Sequence, residues 1–253
     1  MTSAVIKSGL AGDVKQQRER GFIPASFTPF LIGEHQYFSI VYRYVGLRNV
    51  VHYQFEYDLR ESQVNGYSST SPEFKIQYIA PYLVDDVIRF AILLNRTNDD
   101  IRHFVLVTPL QFESEYTRGL RNQDYSILNR KTVEDPVTGN ILISAVVGKR
   151  GSDVHTYYDN VGYEGLINAI KNEFNAGYKL TDLYSYMFNG DVRYLAVFSP
   201  ERFGNNQYVI RIGLDRNAMY NAAESFKSDG FHLTTLLPVP ESFYPYYIAA
   251  WWK

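Results

Sequence analysis

The chain has 253 residues, of which 45% are apolar and 21% charged, with a net charge of −2 and no cysteine. A chain of this mass buries about 73% of its surface on folding, so its core needs no cross-links. The near-neutral charge excludes a strongly basic nucleic-acid binder, and the lack of cysteine excludes disulfides, thiolate metal sites and cysteine nucleophiles.

The sequence carries no signal for a membrane or an export pathway. No apolar stretch reaches the roughly 18 residues that a membrane-spanning helix needs. The N-terminal residues lack the apolar segment of a signal peptide. We therefore expect a cytoplasmic protein, or a secreted one if a leader has been removed.

A pattern of about 50 residues recurs five times along the chain. Each copy is marked by a glycine that follows a helix-like stretch and precedes two strands: Gly21, Gly66, Gly119, Gly177 and Gly230. The pattern predicts one repeat domain over residues 1–253, with units at about 1–48, 49–98, 99–150, 151–202 and 203–253.

In chain order, each predicted unit consists of a short strand, a helix and a strand pair. The clearest first strands cover residues 101–107, 154–158 and 208–212. Thr108, Pro109 and Asp215 are typical of helix starts. The helices carry mostly apolar residues on one face, seven and eleven positions before each glycine: Leu10 and Val14, Phe55 and Leu59, Thr108 and Phe112, Leu166 and Ile170, Met219 and Ala223.

The second half of each unit is predicted to be a left-handed turn and two strands. A glycine directly after a helix adopts the left-handed conformation without steric cost, so all five glycines are assigned to that position. The closing strands are near-continuous apolar runs, which are typical of strands buried on both faces. They cover residues 37–41, 89–93, 142–146, 193–197 and 246–250.

The predicted fold is therefore α+β, built from five tandem βαββ units. A unit of this size cannot bury its own faces, so neighbouring units stack into an open solenoid or a closed, propeller-like ring. Because neither end copy has a polar capping variant, the pattern favours the closed ring. Trp251 and Trp252 would then be covered by a strand at residues 4–6 or by a dimer contact.

The repeat resembles a known family. Its pattern is clearest in the fourth copy, and parts of it recur in the second and fifth: Gly177-Tyr178, Leu180, Tyr186, Gly190, Arg193-Tyr194 and Ala196; Gly66-Tyr67 and Arg89-Phe90-Ala91; Gly230-Phe231 and Ala249-Ala250-Trp251. This is similar to the bacterial tandem-repeat domain that also precedes the serine-hydrolase domain of fungal polyglycine hydrolases. The resemblance implies an accessory or binding module. The Ser-x-x-Lys motif of the accompanying hydrolase is missing from this sequence, so its chemistry is not implied.

Candidate ligand-binding residues follow from the expectation that first strands line the centre of the ring. His52, His103 and His155 fall in or near the first strands of three successive units. Imidazoles that met at the centre could bind a metal or transfer protons near neutral pH, whereas isolated strand histidines would form local hydrogen bonds. Further first-strand candidates are Tyr157, Tyr208 and Arg211.

A second set of candidates lies in the closing strands. Arg89 and Arg193 occupy the same repeat position, which Tyr37 and Tyr246 fill in other copies. Such a position is typically amphipathic, with a packed stem and a solvated head. The functional alternative is a set of donors that hold an anion or a sugar. No local pattern of metal ligands and no cofactor-binding motif occurs, so we expect neither metal nor cofactor.

Three functions remain open. The first is a non-enzymatic recognition module that binds a glycan, a peptide or a partner protein through its loops and tyrosine-rich surfaces. The second is an enzyme or small-ligand binder with a polar site at the ring axis. The third is a homo-oligomer that associates through Trp251 and Trp252. A nucleic-acid partner is not expected.

Overall fold

The computed structural model describes residues 2–32, 35–70, 73–149, 156–202, 208–239 and 246–253. The order strand, helix, strand, strand occurs five times, and we refer to these groups as units 1 to 5. The strands are β1 (Thr2–Ile6), β2 (Phe22–Ile32), β3 (His35–Tyr44), β4 (Tyr53–Leu59), β5 (Phe74–Val84), β6 (Val87–Arg96), β7 (Ile101–Val107), β8 (Tyr125–Glu134), β9 (Ile141–Lys149), β10 (Thr156–Val161), β11 (Tyr178–Phe188), β12 (Asp191–Arg202), β13 (Tyr208–Leu214), β14 (His232–Val239) and β15 (Tyr246–Trp252).

Helices connect the first and second strands of each unit. They are α1 (Leu10–Glu19), α2 (Glu61–Thr70), α3 (Pro109–Phe112), α4 (Tyr163–Asn175) and α5 (Arg216–Ser228). The short α3 continues as a π-helical segment, Glu113–Leu120. None of the helices in the described ranges is long and apolar enough to cross a membrane.

Each unit forms its own three-stranded antiparallel sheet, in which the closing strand lies between the other two. The five predicted closing strands fall within β3, β6, β9, β12 and β15, and their central residues are buried. A strand that pairs on both edges and is covered on both faces needs an apolar sequence. This requirement explains the near-continuous apolar runs from which the closing strands were predicted. The α+β, repeat-like character expected from the sequence is confirmed.

The helix starts predicted from the sequence are confirmed. Thr108 and Gln111 form a reciprocal capping box at the start of α3, with Pro109 in the first turn. Asp215 caps α5 by accepting a hydrogen bond of 2.7 Å from the backbone N–H of Ala218. These caps satisfy backbone donors that a helix start leaves without intrahelical partners.

The glycine positions were predicted correctly in three units and wrongly in two. Gly21, Gly177 and Gly230 have φ values of 86°, 86° and 83° directly after their helices. Gly66 lies inside α2 and Gly119 inside the π-helical segment, so neither ends a helix. In unit 3, Asp124, with φ 64°, takes the left-handed position before β8. Aspartate tolerates this conformation, so the repeat does not require glycine there.

Contacts between neighbouring sheets, which we call seams, are made largely by the second strands. They join β2 with β5, β5 with β8, β8 with β11 and β11 with β14, and β14 also contacts β2 and β3 of unit 1. The first strand of each unit lies at the opposite edge of its sheet. The units therefore contact one another mainly through their second strands, whereas the sequence analysis expected the first strands to meet.

The two ends of the chain are also arranged differently from the prediction. Residues 4–6 belong to β1, which pairs with β3 of its own sheet rather than with the last strand. Trp251 is 1% exposed because α5 covers it, with the Phe226 ring 4.9 Å away. Val41 of unit 1 packs in the same apolar cluster. Trp251 therefore needs neither an added strand nor a dimer partner to cover it.

Candidate functional site

Every second strand carries a polar residue at one equivalent position, directly after an irregularity in its pairing with the closing strand. These residues are Ser26, Tyr78, Asn129, Asp182 and Thr235. Because second strands contact one another, this position directs polar groups from several units toward a common region. The structure thus brings polar side chains together through strands that the sequence interpretation had not used.

The centre of this region is a buried ion pair between Lys131 of unit 3 and Asp182 of unit 4. The Lys131 Nζ lies 2.5 Å from Asp182 Oδ1, and the side chains are 0% and 3% exposed. Tyr78 of unit 2 donates its hydroxyl to Oδ1 at 3.0 Å. Asn129 donates its Nδ2–H to Oδ2 at 2.9 Å. Since each polar group has a partner, the network satisfies the desolvated charges and links three units.

The electrostatics of this network agree with its enclosure. Burial lowers the pKa of the Lys131 ammonium, while the Asp182 carboxylate opposes that change. Burial, reinforced by the same carboxylate, raises the pKa of the Tyr78 hydroxyl well above its usual value. The Lys131 ammonium also lies 4.8 Å from the centre of the Tyr184 ring. The arrangement holds Lys131 in place and gives a substrate no approach to it.

A second ionic contact lies at the same seam. Arg130 Nη2 is 2.6 Å from Asp159 Oδ2, and the Tyr186 hydroxyl donates to Asp159 Oδ1 at 2.9 Å. The guanidinium lies between two aromatic rings, with its carbon 4.6 Å from the centre of Tyr157 and 5.3 Å from that of Phe112. In the other units the equivalent second-strand residue is apolar: Phe27, Ile79, Leu183 and Leu236.

A cleft of about 250 Å³ opens at the seam between units 2 and 3. It is lined from α2, from the start of β5 and from the start of β7: Tyr67; Phe74, Lys75 and Ile76; Ile101, Arg102 and His103. Its volume corresponds to roughly eight water molecules at about 30 Å³ each. The cleft can therefore hold one amino-acid side chain or one comparably small group.

His103 occupies the register position that other first strands fill with larger or apolar side chains. The equivalent residues, one position before the pairing irregularity, are Phe55, Tyr157 and Ile210. Phe55 packs 5.1 Å from Phe27 of the preceding unit, so this position normally closes a seam. Burial, together with the nearby Lys75 ammonium, lowers the pKa of His103. The imidazole is therefore neutral at pH 7, with one donor and one acceptor nitrogen.

Of the two predicted histidines that the structure describes, His103 lines the cleft and His52 does not. His52 is exposed in a short turn, Val50–His52, that precedes β4. His155 lies outside the described residues. These two histidines belong to different units, because His52 precedes the first strand of unit 2 and His103 lies in that of unit 3. They do not converge.

The remaining predicted residues are dispersed over the other units. Tyr208 donates to the carbonyl of Leu180 and accepts from its N–H, at 2.9 and 2.8 Å. Arg211 is exposed, with its guanidinium 5.4 Å from the Phe226 ring centre. Arg89 lies near Asp58, and Arg193 forms an ion pair with Asp191. The Tyr157 ring contacts the Arg130 guanidinium. Their ligand-binding role stays a prediction, without the shared centre that motivated it.

The sequence interpretation missed the residues of the ionic seam and most of the cleft. One signal was present: the second strand of unit 3 contains four consecutive polar residues, Asn129, Arg130, Lys131 and Thr132, and two of them are basic. A strand buried on both faces can hold such residues only if partners satisfy them. Asp182 was the matching acid, but its position depends on a pairing irregularity at Leu180 that sequence periodicity does not reveal.

The C-terminal tryptophans do not form one exposed surface. Trp251 is buried in its own unit, whereas Trp252 is 43% exposed, with Lys179 Nζ 3.9 Å from its ring centre. An oligomer contact through this end stays a prediction, and of the two side chains only that of Trp252 is exposed to make it.

Five sheets of the same construction, each packed against the next through equivalent strands, define a tandem-repeat protein. Residues 172–200 match a family described as polyglycine hydrolase-like, structural repeat. This segment contains the end of α4, all of β11 and most of β12, and it is the copy on which the sequence resemblance depended. The resemblance is confirmed for unit 4. No curated protein matches the chain.

Proposed function

We propose that the protein is a non-enzymatic recognition module and that the cleft between units 2 and 3 receives one group of a peptide or glycan ligand. The observation that carries the proposal is the cleft itself. It combines an apolar wall with polar groups, at a seam position that a larger side chain closes elsewhere in the chain. The match to a structural repeat supports a module of this kind.

We further propose that the five units close into a propeller-like ring. The contacts of β14 with β2 and β3 support this arrangement, because they join the last sheet to the first. The apolar cluster that contains Val41 of unit 1 together with Met219 and Trp251 of unit 5 supports it as well. A closed ring would hold the cleft between two sheets that are each supported on both sides.

The alternative of an enzyme or small-ligand site at the axis is less well supported. It would require Lys131 or Asp182 to reach a substrate, and both are enclosed and bound to each other. Their neighbours Tyr78 and Asn129 use the same carboxylate. The cleft is therefore the better candidate.

The test fills the cleft with the side chain that unit 4 has at the same position. His103→Tyr imitates Tyr157, and His52→Tyr is the matched control outside the cleft. Both variants and the parent are applied to arrays of peptides and glycans. We expect ligands captured by the parent to be lost by His103→Tyr and retained by His52→Tyr. Equal capture by the two variants, or no capture by the parent, would contradict the proposal.

A further inference from the structure

The charges that line the cleft do not balance. Lys75 and Arg102 are basic, and none of the seven described lining residues carries a carboxylate. The Arg102 guanidinium is directed away from His103, because it lies 4.9 Å from the centre of the Tyr125 ring and 3.9 Å from Asp100. For Lys75, the described part of the chain contains no ion-pair partner within 4 Å. A half-buried ammonium without a counter-charge favours an anionic ligand.

The imidazole adds a hydrogen-bonding group without adding a third charge. His103 on β7 lines the cleft together with Lys75 from β5 and Tyr67 from α2, and the Lys75 ammonium acts on the imidazole. Glu56 on β4 acts on Tyr67, whose pKa is raised by burial and by that carboxyl. Because Lys75 helps to lower the pKa of His103, an anion that offsets the ammonium would raise it again.

The rest of the lining is apolar or aromatic. Phe74, Ile76, Ile101 and the ring of Tyr67 form the apolar part of the lining, next to Lys75 and His103. An apolar group gains from leaving water against this wall, whereas inorganic anions gain nothing there. The volume of about 250 Å³ limits the buried part of the ligand to one ring or one side chain.

We propose that the cleft binds a carboxylate attached to a small apolar or aromatic group, with Lys75 on the carboxylate and His103 as a further donor. This inference rests on the proposed recognition function and specifies its ligand. A free small acid and the C-terminal residue of a peptide share this chemistry. The cleft then distinguishes ligands by charge as well as by shape.

The experiment compares isosteres that differ in charge. Benzoate and benzamide are titrated into the isotopically labelled protein, and N-acetylphenylalanine and its amide form a second pair for the chain-terminus source. We expect both carboxylates to change the chemical shifts of backbone N–H groups at the cleft. The neutral isosteres should bind at least tenfold more weakly. Inorganic phosphate is a third probe, and its binding as tightly as benzoate would overturn the role of the apolar wall.

Charge-removing variants assign the effect to the cleft. Lys75→Gln should weaken benzoate binding about tenfold and leave benzamide unchanged. Lys227→Gln is the control, because Lys227 is 76% exposed on α5 of unit 5. The imidazole resonances should report a higher His103 pKa with benzoate than with benzamide. Equal shifts with the two ligands would contradict the placement of the carboxylate beside Lys75.

The outcomes separate this inference from the proposed function. Equal affinity for benzoate and benzamide at the cleft would overturn carboxylate selectivity and leave a recognition cleft. Carboxylate selectivity would also be overturned, and the recognition cleft kept, if no carboxylate changed the chemical shifts at the cleft while binding of array ligands still depended on His103. If no carboxylate changed the chemical shifts at the cleft and array binding did not depend on His103, both the carboxylate site and the proposed recognition function of the cleft would be wrong.

Discussion

Units 3 and 4 are neighbours with the same order of elements, yet they keep very different parts of the repeat. Unit 4 retains the left-handed glycine, Gly177, after a continuous helix of 13 residues. Unit 3 has Asp124 at that position, after a helix that becomes π-helical. It also places Arg130 where other units have an apolar residue. Unit 3 thus departs from the repeat at several positions, and the family match falls on its regular neighbour.

The charged departures of unit 3 face the seams rather than the outer surface. Unit 3 supplies the bases Arg130 and Lys131, and unit 4 supplies the acids Asp159 and Asp182. On its other side, unit 3 contributes His103 to the cleft. The comparison shows that the basic residues of the buried ion pairs and the histidine of the cleft belong to unit 3, which departs from the repeat pattern, and not to unit 4, which follows it most closely.

The largest expected effect breaks the ionic seam. Lys131→Met leaves the buried Asp182 carboxylate without its counter-ion, which should lower the free energy of unfolding by about 3–5 kcal/mol. Urea unfolding of the variant measures this loss. Lys227→Met, at an exposed position of unit 5, should change stability by less than about 0.5 kcal/mol. A loss below about 1 kcal/mol in Lys131→Met would mean that Tyr78 and Asn129 suffice to stabilise Asp182.

The second prediction sharpens the comparison of the glycines in the two units. Gly177→Val places a β-branched side chain at φ 86°, so it should cost about 1–3 kcal/mol. Gly119→Ala in unit 3 should instead stabilise by about 0.5–1 kcal/mol, because this glycine is helical and has no atom within 4 Å of an added Cβ. Thermal unfolding of both variants tests the assignment. Losses of similar size would show that the two glycines are equivalent after all.

The smallest expected effect concerns alkaline pH. Burial and the Asp159 carboxylate raise the pKa of Tyr186 in unit 4, so this phenol stays protonated in the folded state at a pH where the unfolded chain ionises. Its contribution is complete below about pH 10 and is lost above it, by up to about 1.4 kcal/mol per pH unit. Tyr186→Phe should reduce the slope of stability against pH between about pH 9 and 11. Tyr220→Phe, at a 68% exposed site, should leave the slope unchanged.

The sequence was informative where a structural requirement is local. The closing strands were recognisable because strands paired on both edges need apolar runs, and Thr108 and Asp215 indicated helix starts because a cap acts within one turn. The prediction that Gly66 and Gly119 end their helices was wrong, because a helix can contain a glycine as well as end at one. Each error shifted the predicted helix within its unit.

The site was less predictable because it depends on contacts between units. His103 was identified as a candidate, but for a centre that first strands do not form. Lys131 and Asp182 are 51 positions apart in the chain, and their meeting depends on pairing irregularities in two separate strands. A one-residue irregularity changes which face of a strand a side chain occupies, and periodicity alone does not locate it.

The buried ion pairs between units 3 and 4 also bear on how a chain of similar units assembles in the correct order. The seam between units 1 and 2 and that between units 4 and 5 are formed by apolar clusters, which tolerate exchange of one apolar partner for another. A buried lysine or arginine placed against such a cluster would lose its hydration without gaining a counter-ion. Arrangements that separate unit 3 from unit 4 are therefore less stable than the observed one. The acids of unit 4 identify unit 3 as their neighbour among five otherwise similar sheets.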